Sequence, residues 1–233
     1  QSGNNMVLTD FEIKKAASQV LEFADGSVPT YAPGTYPTVK ISRTLTWDKW
    51  ATAIYPFALS REDVEIVVLD NYLVDIDEVY FDDADNSVVN KPFLMRSKSS
   101  YDTIYEIVLN DVDVAAAIAK NDDKNELSFI GVYKETEVGR GEGVKNFVLK
   151  DNTIYRVGDN AATINPYRAY FQVDQPGEAA RLKFFINGQQ TTDIEGVKAE
   201  KSHNGVIYNL NGQRVEKANK GLYISNGKKV VLK

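Results

Sequence analysis

Val39-Lys40-Ile41-Ser42-Arg43-Thr44-Leu45-Thr46-Trp47-Asp48-Lys49-Trp50-Ala51-Thr52-Ala53-Ile54-Tyr55-Pro56-Phe57-Ala58-Leu59 is the stretch on which the fold turns. In extended backbone Val39, Ile41, Arg43 and Leu45 share one face and Lys40, Ser42, Thr44 and Thr46 the other, so its first half reads as a strand with one dry face. Trp50, Thr52 and Ile54 repeat the pattern, and Pro56, which has no N–H for a ladder, closes it. Asp48-Lys49 is a polar break between the halves. The whole reads as a hairpin-like pair with both tryptophans beside its turn.

Downstream the same signals recur. Asp63 to Leu69 and Leu73 to Phe81 read as strands around an Asp70-Asn71 turn, and Asp82-Asp83-Ala84-Asp85-Asn86 as an exposed acidic turn. Val88-Val89 and Lys91 to Met95 lead back to the core, and Ile104 to Leu109 continues the strand pattern. Asp111 to Lys120, with Ala115-Ala116-Ala117 behind a capping Asp111, is the best helix candidate on intrinsic propensity. Leu127–Tyr133, Asn146–Leu149, Thr153–Val157, Tyr167–Val173 and Arg181–Ile186 follow at near-regular spacing, each bounded by turn residues. Helical crossovers are missing, which argues against a parallel α/β architecture. The expected fold is therefore all-β, an antiparallel β-sandwich with a small C-terminal β-hairpin unit.

Upstream, Pro29, Pro33-Gly34 and Pro37 mark an extended loop. Between Met6 and Gly26 two readings compete. Ile13, Ala16, Ala17, Val20, Leu21 and Ala24 recur at helical spacing behind Thr9-Asp10, whereas Val7-Leu8, Phe11-Glu12-Ile13 and Val20-Leu21-Glu22-Phe23 read as short strands before an Asp25-Gly26 turn. Strands are favoured. At the other end the chain turns polar, and the expected organisation is a main domain over 1–190, a linker over 191–205 and a small β unit over 206–233. In that unit Val206–Val215 carries an Asn211-Gly212 turn and Gly221–Leu232 an Asn226-Gly227 turn.

Composition excludes several function classes. The 233 residues carry 27 Lys+Arg against 33 Asp+Glu, a net charge of −6 with both signs interspersed, so there is no basic field for nucleic acid. Cysteine is absent, which removes disulfides, thiolate chemistry and cysteine zinc sites but does not fix the compartment. No apolar run is long enough for a transmembrane helix. Gln1-Ser2-Gly3-Asn4-Asn5 is a polar start without an initiator methionine and reads as a trimmed or processed end, with which a signal peptide or an outer-membrane anchor would have been removed.

Candidate chemistry is thin. His203, the one histidine, sits in the polar linker beside Ser202 and Asn204, where nothing holds a base between nucleophile and carboxylate. Asp82, Asp83, Asp85 and Asn86 offer hard oxygens but lack the EF-hand order, so a solvated turn is the better reading than calcium. Gly139-Arg140-Gly141-Glu142-Gly143 lacks the helix and the Lys-Ser/Thr pair of a phosphate loop, and Glu142 would repel phosphate. No pair of acids stands out for glycoside hydrolysis. Arg43, Arg96 and Arg168 lie among apolar strand residues, where a guanidinium either pairs with a carboxylate and fixes register or faces a groove; the structural role is favoured. Trp47, Trp50, Tyr55 and Tyr170, with Arg168, form the candidate glycan-stacking set, although aromatics at strand alternation are more often core. No catalytic residue, metal or cofactor is expected.

Arg43 with Trp50 and Pro56-Phe57, then Lys91-Pro92-Phe93-Leu94, Phe129-Ile130-Gly131-Val132-Tyr133, Asn165–Phe171 and Thr191-Thr192-Asp193-Ile194 together span most of 39–194. In these pieces the chain resembles the β-rich secreted and surface proteins of Bacteroidetes, including modules described as cell-adhesion proteins. The tail, from Ile207–Val215 through Lys220-Gly221-Leu222-Tyr223-Ile224 to Lys229–Lys233, resembles the C-terminal sorting module of that phylum's dedicated secretion system. The resemblance implies an extracytoplasmic β module and no particular reaction. The expected function is that of a non-enzymatic cell-surface or secreted module, in adhesion or as a structural ectodomain, touching host or microbial surface polymers or glycans. A carbohydrate-binding module using an aromatic face is the alternative. A hydrolase whose acids lie apart in sequence is a third reading.

Overall fold

A computed structural model describes residues 20–174 and 181–191 in full and, further on, the backbone of four short strands. The chain divides into two compact units, Gln1–Thr192 and Asp193–Lys233. The readings made for 6–19, for His203 and most of the linker, and for the turns of the tail lie outside the described residues.

In chain order the first unit contains β1 (Val20–Ala24), β2 (Gly34–Leu45), β3 (Ala51–Ala53), β4 (Val64–Leu73), β5 (Glu78–Asp83), β6 (Phe93–Ser97), β7 (Ile104–Val114) and β8 (Asp122–Lys124). Then come β9 (Leu127–Val132), β10 (Thr136–Val138), β11 (Val144–Lys150), β12 (Thr153–Arg156), β13 (Ala162–Ile164), β14 (Arg168–Asp174), β15 (Arg181–Ile186) and β16 (Gln189–Gln190). The protein is all-β, its one helical element among the described residues being a single 3₁₀ turn at Val74–Ile76.

Three sheets result: β1-β2-β7, the pair β10-β13, and an eleven-stranded sheet running β3-β6-β4-β5-β15-β12-β11-β14-β9-β8 with β16 on β15. Most pairs are antiparallel, but β1 runs parallel to β2 and β5 parallel to β15, so the sheets are mixed rather than purely antiparallel. The large sheet curls. At one end Ile54 N–H donates to the Tyr167 carbonyl at 3.2 Å and Ala169 N–H to Thr52 Oγ1 at 3.0 Å, bringing the β3 edge against β14. At the other, Asn125 Nδ2 donates to the Tyr72 carbonyl at 2.6 Å, drawing the β8–β9 turn onto β4.

Alternation explains the layering. On β4, Val64 and Ile66 point into a first core with Val39, Ile41 and Leu45 of β2, while Val67 and Leu69 point into a second core inside the curl. On β6, Phe93 and Met95 face the first core and Leu94 the second. The layer β3-β6-β4 is thus dry on both faces, with the three-stranded sheet stacked on one side and the far wall of the curl on the other, a sandwich-like arrangement. The inner core is aromatic: Phe129 and Phe171 stack at 4.4 Å, and Phe81 meets both edge-on. A third, smaller core of Val132, Val138, Val157 and Ile164 lies beneath β10-β13.

Four local expectations are corrected. The quoted stretch is not a hairpin, because β2 pairs with β1 and β7 while β3 pairs with β6; the chain passes from one sheet to the other. That passage is pinned from outside, with Trp50 N–H donating to Asn152 Oδ1 at 2.8 Å, Asn152 Nδ2 to the Asp48 carbonyl at 2.6 Å, and Lys49 Nζ 2.8 Å from Asp151. Asp70-Asn71 is a bulge within β4, and the reversal comes later, at the 3₁₀ turn and the left-handed Asp77. Asp111 to Lys120 is not helical: its first part completes β7, and Ala115 N–H and Lys120 N–H donate to the carbonyls of Pro56 and Asn90. Its backbone groups are satisfied by distant partners, which outweighs alanine propensity. The proline-rich loop also ends earlier than expected. β2 starts at Gly34, and Pro37 occupies the step the ladder skips between Tyr36–Val112 and Thr38–Asn110.

In the second unit the order is β18-β17-β19-β20, for strands Ile207–Tyr208 (β17), Arg214–Val215 (β18), Gly221–Ser225 (β19) and Lys228–Leu232 (β20), all antiparallel.

Candidate functional site

The curl leaves a seam where β3 lies against β14, and a cleft of about 360 Å³ opens there, lined by residues that include Trp50, Thr52, Thr163, Asn165 and Arg168. Local pairing sets each side chain. Thr52 sits opposite Leu94 on β6, and its hydroxyl takes the Ala169 N–H, so it caps the seam from within. Arg168 opens β14 opposite Val132 of β9. Its Nη2 donates to Asp25 Oδ2 at 2.5 Å. Asp25 is presented by the β1 turn, in which Gly26 adopts φ +79° and Ser27 N–H returns to the Ala24 carbonyl.

Behind this rim lies Arg43. In the parallel β1–β2 ladder Ala24 pairs with Ser42, which sets Asp25 beside Arg43, yet the Asp25 carboxylate turns to Arg168. Arg43 is 4% exposed; its Nη2 donates to the Thr52 carbonyl at 2.7 Å, the Tyr55 hydroxyl lies against its guanidinium, and its Nε and Nη1 find no well-aligned acceptor. Burial, and then the like charge of Arg168, pull its pKa down to about 10. Burial raises the pKa of neighbouring Tyr55, partly offset by the Arg43 charge. Two guanidiniums thus share one carboxylate.

The arginines divide. Arg96 pairs with Glu65, directly opposite in the β4–β6 register, at 2.7 Å, and its guanidinium lies 4.3 Å from the Trp50 ring centre, so it locks register. Arg168 pairs across the sequence with Asp25 and also faces the cleft. Arg43 has no carboxylate of its own.

Of the expected stacking set, the seam collects only Trp50 and Arg168. Trp50 is 5% exposed and belongs to the inner core, and Tyr55 is 1% exposed in the outer core, stacked on Phe57 and Tyr167. Tyr170 is half-buried against the third core. Trp47, at 50%, is the member with an open ring. These aromatics therefore do not form one platform. Sequence reasoning missed Thr52, Thr163 and Asn165 as cleft residues and Asp25 as the partner of Arg168; the Asp25-Gly26 turn was visible, but that partner is 143 positions away.

A second cleft, larger at about 470 Å³ and somewhat more enclosed, is lined by Arg61, Glu62, Glu65, Asp83, Asp85 and Lys98 among others. Asp82, Asp83 and Asp85 belong to no group of three or more potential ligands able to hold a metal among the described residues. Gly139 to Gly143 leads directly into strand β11. No described helix is long and apolar enough to cross a membrane. Compared with known proteins, the chain matches no family model, no curated protein and no solved structure.

Proposed function

We propose that this chain is an exported, non-enzymatic β module acting in surface adhesion or as a structural ectodomain, with a small C-terminal unit that serves secretion sorting. The observation that carries the reading is where the chain spends its charges. Arg96 with Glu65, Lys91 with Asp122, Lys40 with Glu106 and Lys183 with Glu78 each tie one strand or loop to another. Charges used as ties around aromatic cores suit a scaffold that presents a surface, and the Bacteroidetes resemblance supplies the address. The second reading, a carbohydrate-binding module, is favoured by the seam cleft, where hydroxyl, amide and guanidinium groups converge beside Trp50.

Beads coated with the full chain, washed over host and microbial surface polymers, test the function. Retention on at least one polymer, without turnover of generic ester, peptide or glycoside substrates, is expected. Product release, or retention no better than beads carrying an unrelated β-sandwich, refutes it. Fusing residues 206–233 to a periplasmic reporter in a bacterium of that phylum tests the tail: the reporter reaches the surface if the tail sorts and stays in the periplasm if it does not.

A further inference from the structure

We propose that the seam cleft binds a carboxylate, with Arg168 as the contacting cation and Arg43 as the buried charge behind it. Three independent features meet there. The cleft, about 360 Å³, sets Thr52, Thr163, Asn165 and Arg168 among apolar residues such as Val148 and Leu149, and its hydroxyl, amide and guanidinium groups suit the anionic end of a ligand. Arg168 and Arg43 face a single carboxylate, Asp25, which leaves one net positive charge in a partly dehydrated setting. Arg43 meets only neutral oxygens, the Thr52 carbonyl and the Tyr55 hydroxyl, its Nε and Nη1 lack a well-aligned acceptor, and through Nη2 it is fastened to Thr52, a residue of the cleft wall. A buried cation without a counterion is costly unless another anion completes it.

Asp25 then has a definite role. It is 43% exposed at its side chain and holds Arg168 in place, so it competes with an incoming carboxylate for the same guanidinium. Such a site would be the polymer contact of the adhesion reading above, and it depends on that reading only for the origin of the carboxylate.

The test is calorimetric titration of the full chain with glucuronate, acetate and glucose, repeated on Arg168→Gln and Asp25→Asn, with each variant's melting curve recorded. Glucuronate is expected to bind and glucose not to. Arg168→Gln is expected to weaken glucuronate by about tenfold or more, and Asp25→Asn to strengthen it several-fold by releasing Arg168. The gain in Asp25→Asn is a result that a purely structural role for the ion pair does not produce. Glucuronate bound more tightly than acetate assigns the carboxylate to an acidic sugar, and equal affinity assigns it to the bare anion; both support the site. Glucose binding equal to glucuronate, unchanged affinity in both variants, or no heat from either carboxylate at millimolar concentration overturns it. Bead retention on neutral polymers with no carboxylate binding overturns the carboxylate site alone and leaves the adhesion reading standing.

Discussion

Replacing Arg43 by methionine, which fills similar volume without charge, is expected to stabilise the protein. The fall of the Arg43 pKa from its ordinary value to about 10 corresponds to about 3 kcal/mol of unfavourable burial, at roughly 1.4 kcal/mol per pKa unit. Substitution also strips the Thr52 carbonyl of its donor, which costs about 1–1.5 kcal/mol. A net gain of about 1.5 kcal/mol remains, or roughly 3–6 °C in Tm for a domain of this size. The sign with pH comes from linkage. The folded pKa lies below the unfolded one, so the charged form is penalised in full below about pH 10 and relieved only as pH rises above it toward the ordinary arginine range. The gain should therefore be flat across neutral pH. Calorimetric melting and urea midpoints measure it, with Arg43→Ala as a control that loses packing as well as charge. A lower Tm for Arg43→Met, with the fold intact, would refute the claim that this charge is uncompensated. The same variant is expected to bind glucuronate several-fold more weakly, so that stability and binding move in opposite directions.

Gly131 sits where a Cβ would overlap the Ile54 δ-methyl and come within 3.0 Å of Ile54 Cβ, so Gly131→Ala should cost about 1–3 kcal/mol in urea unfolding. Adding Ile54→Val, which removes the δ-methyl, should return part of that loss, and simple additivity would contradict the contact. Phe171→Leu, breaking the stack with Phe129, should lower stability by about 1–3 kcal/mol without changing the CD spectrum of the sheets. Tyr55, Tyr72, Tyr133 and Tyr167 all have pKa values raised above 10.0, chiefly by burial. Stability is therefore full below about pH 10 and lost above it, and tyrosinate absorbance should appear together with loss of the native CD signal. Ionisation well before unfolding would contradict their burial.

Much of the outer layer was legible in the quoted stretch, because Val39, Ile41, Arg43 and Leu45 do share the buried face of β2. The path of the chain beyond Leu45 was not. Whether Asp48-Lys49 reverses a hairpin or carries the chain into another sheet depends on Asp151 and Asn152, about a hundred positions away, and no local pattern encodes that. The alanine-rich stretch misleads for a related reason. Asn90, buried and left-handed, accepts from Lys120 N–H and Tyr133 O–H and donates to the Ala116 carbonyl, so tertiary hydrogen bonds set the backbone there. At the site, Arg43 and Arg168 stood out as charges in apolar strands, but their sharing of Asp25 emerges only once the β1–β2 ladder and the seam are formed. Trp50 and Tyr55 read equally well as core or as platform, since alternation marks a face without saying what covers it.

The central claim is that β4 and β6 lie between two cores, with the sheets on either side built onto them. Amide hydrogen exchange of the full chain tests this most directly, because protection reports how much structure must open to expose a given N–H. Amides of 64–69 and 93–97 should exchange last, at the rate of global unfolding, and those of the outer strands β7 and β8 well before them. Exchange of 64–69 and 93–97 as fast as that of β7 or β8 would contradict the shared layer.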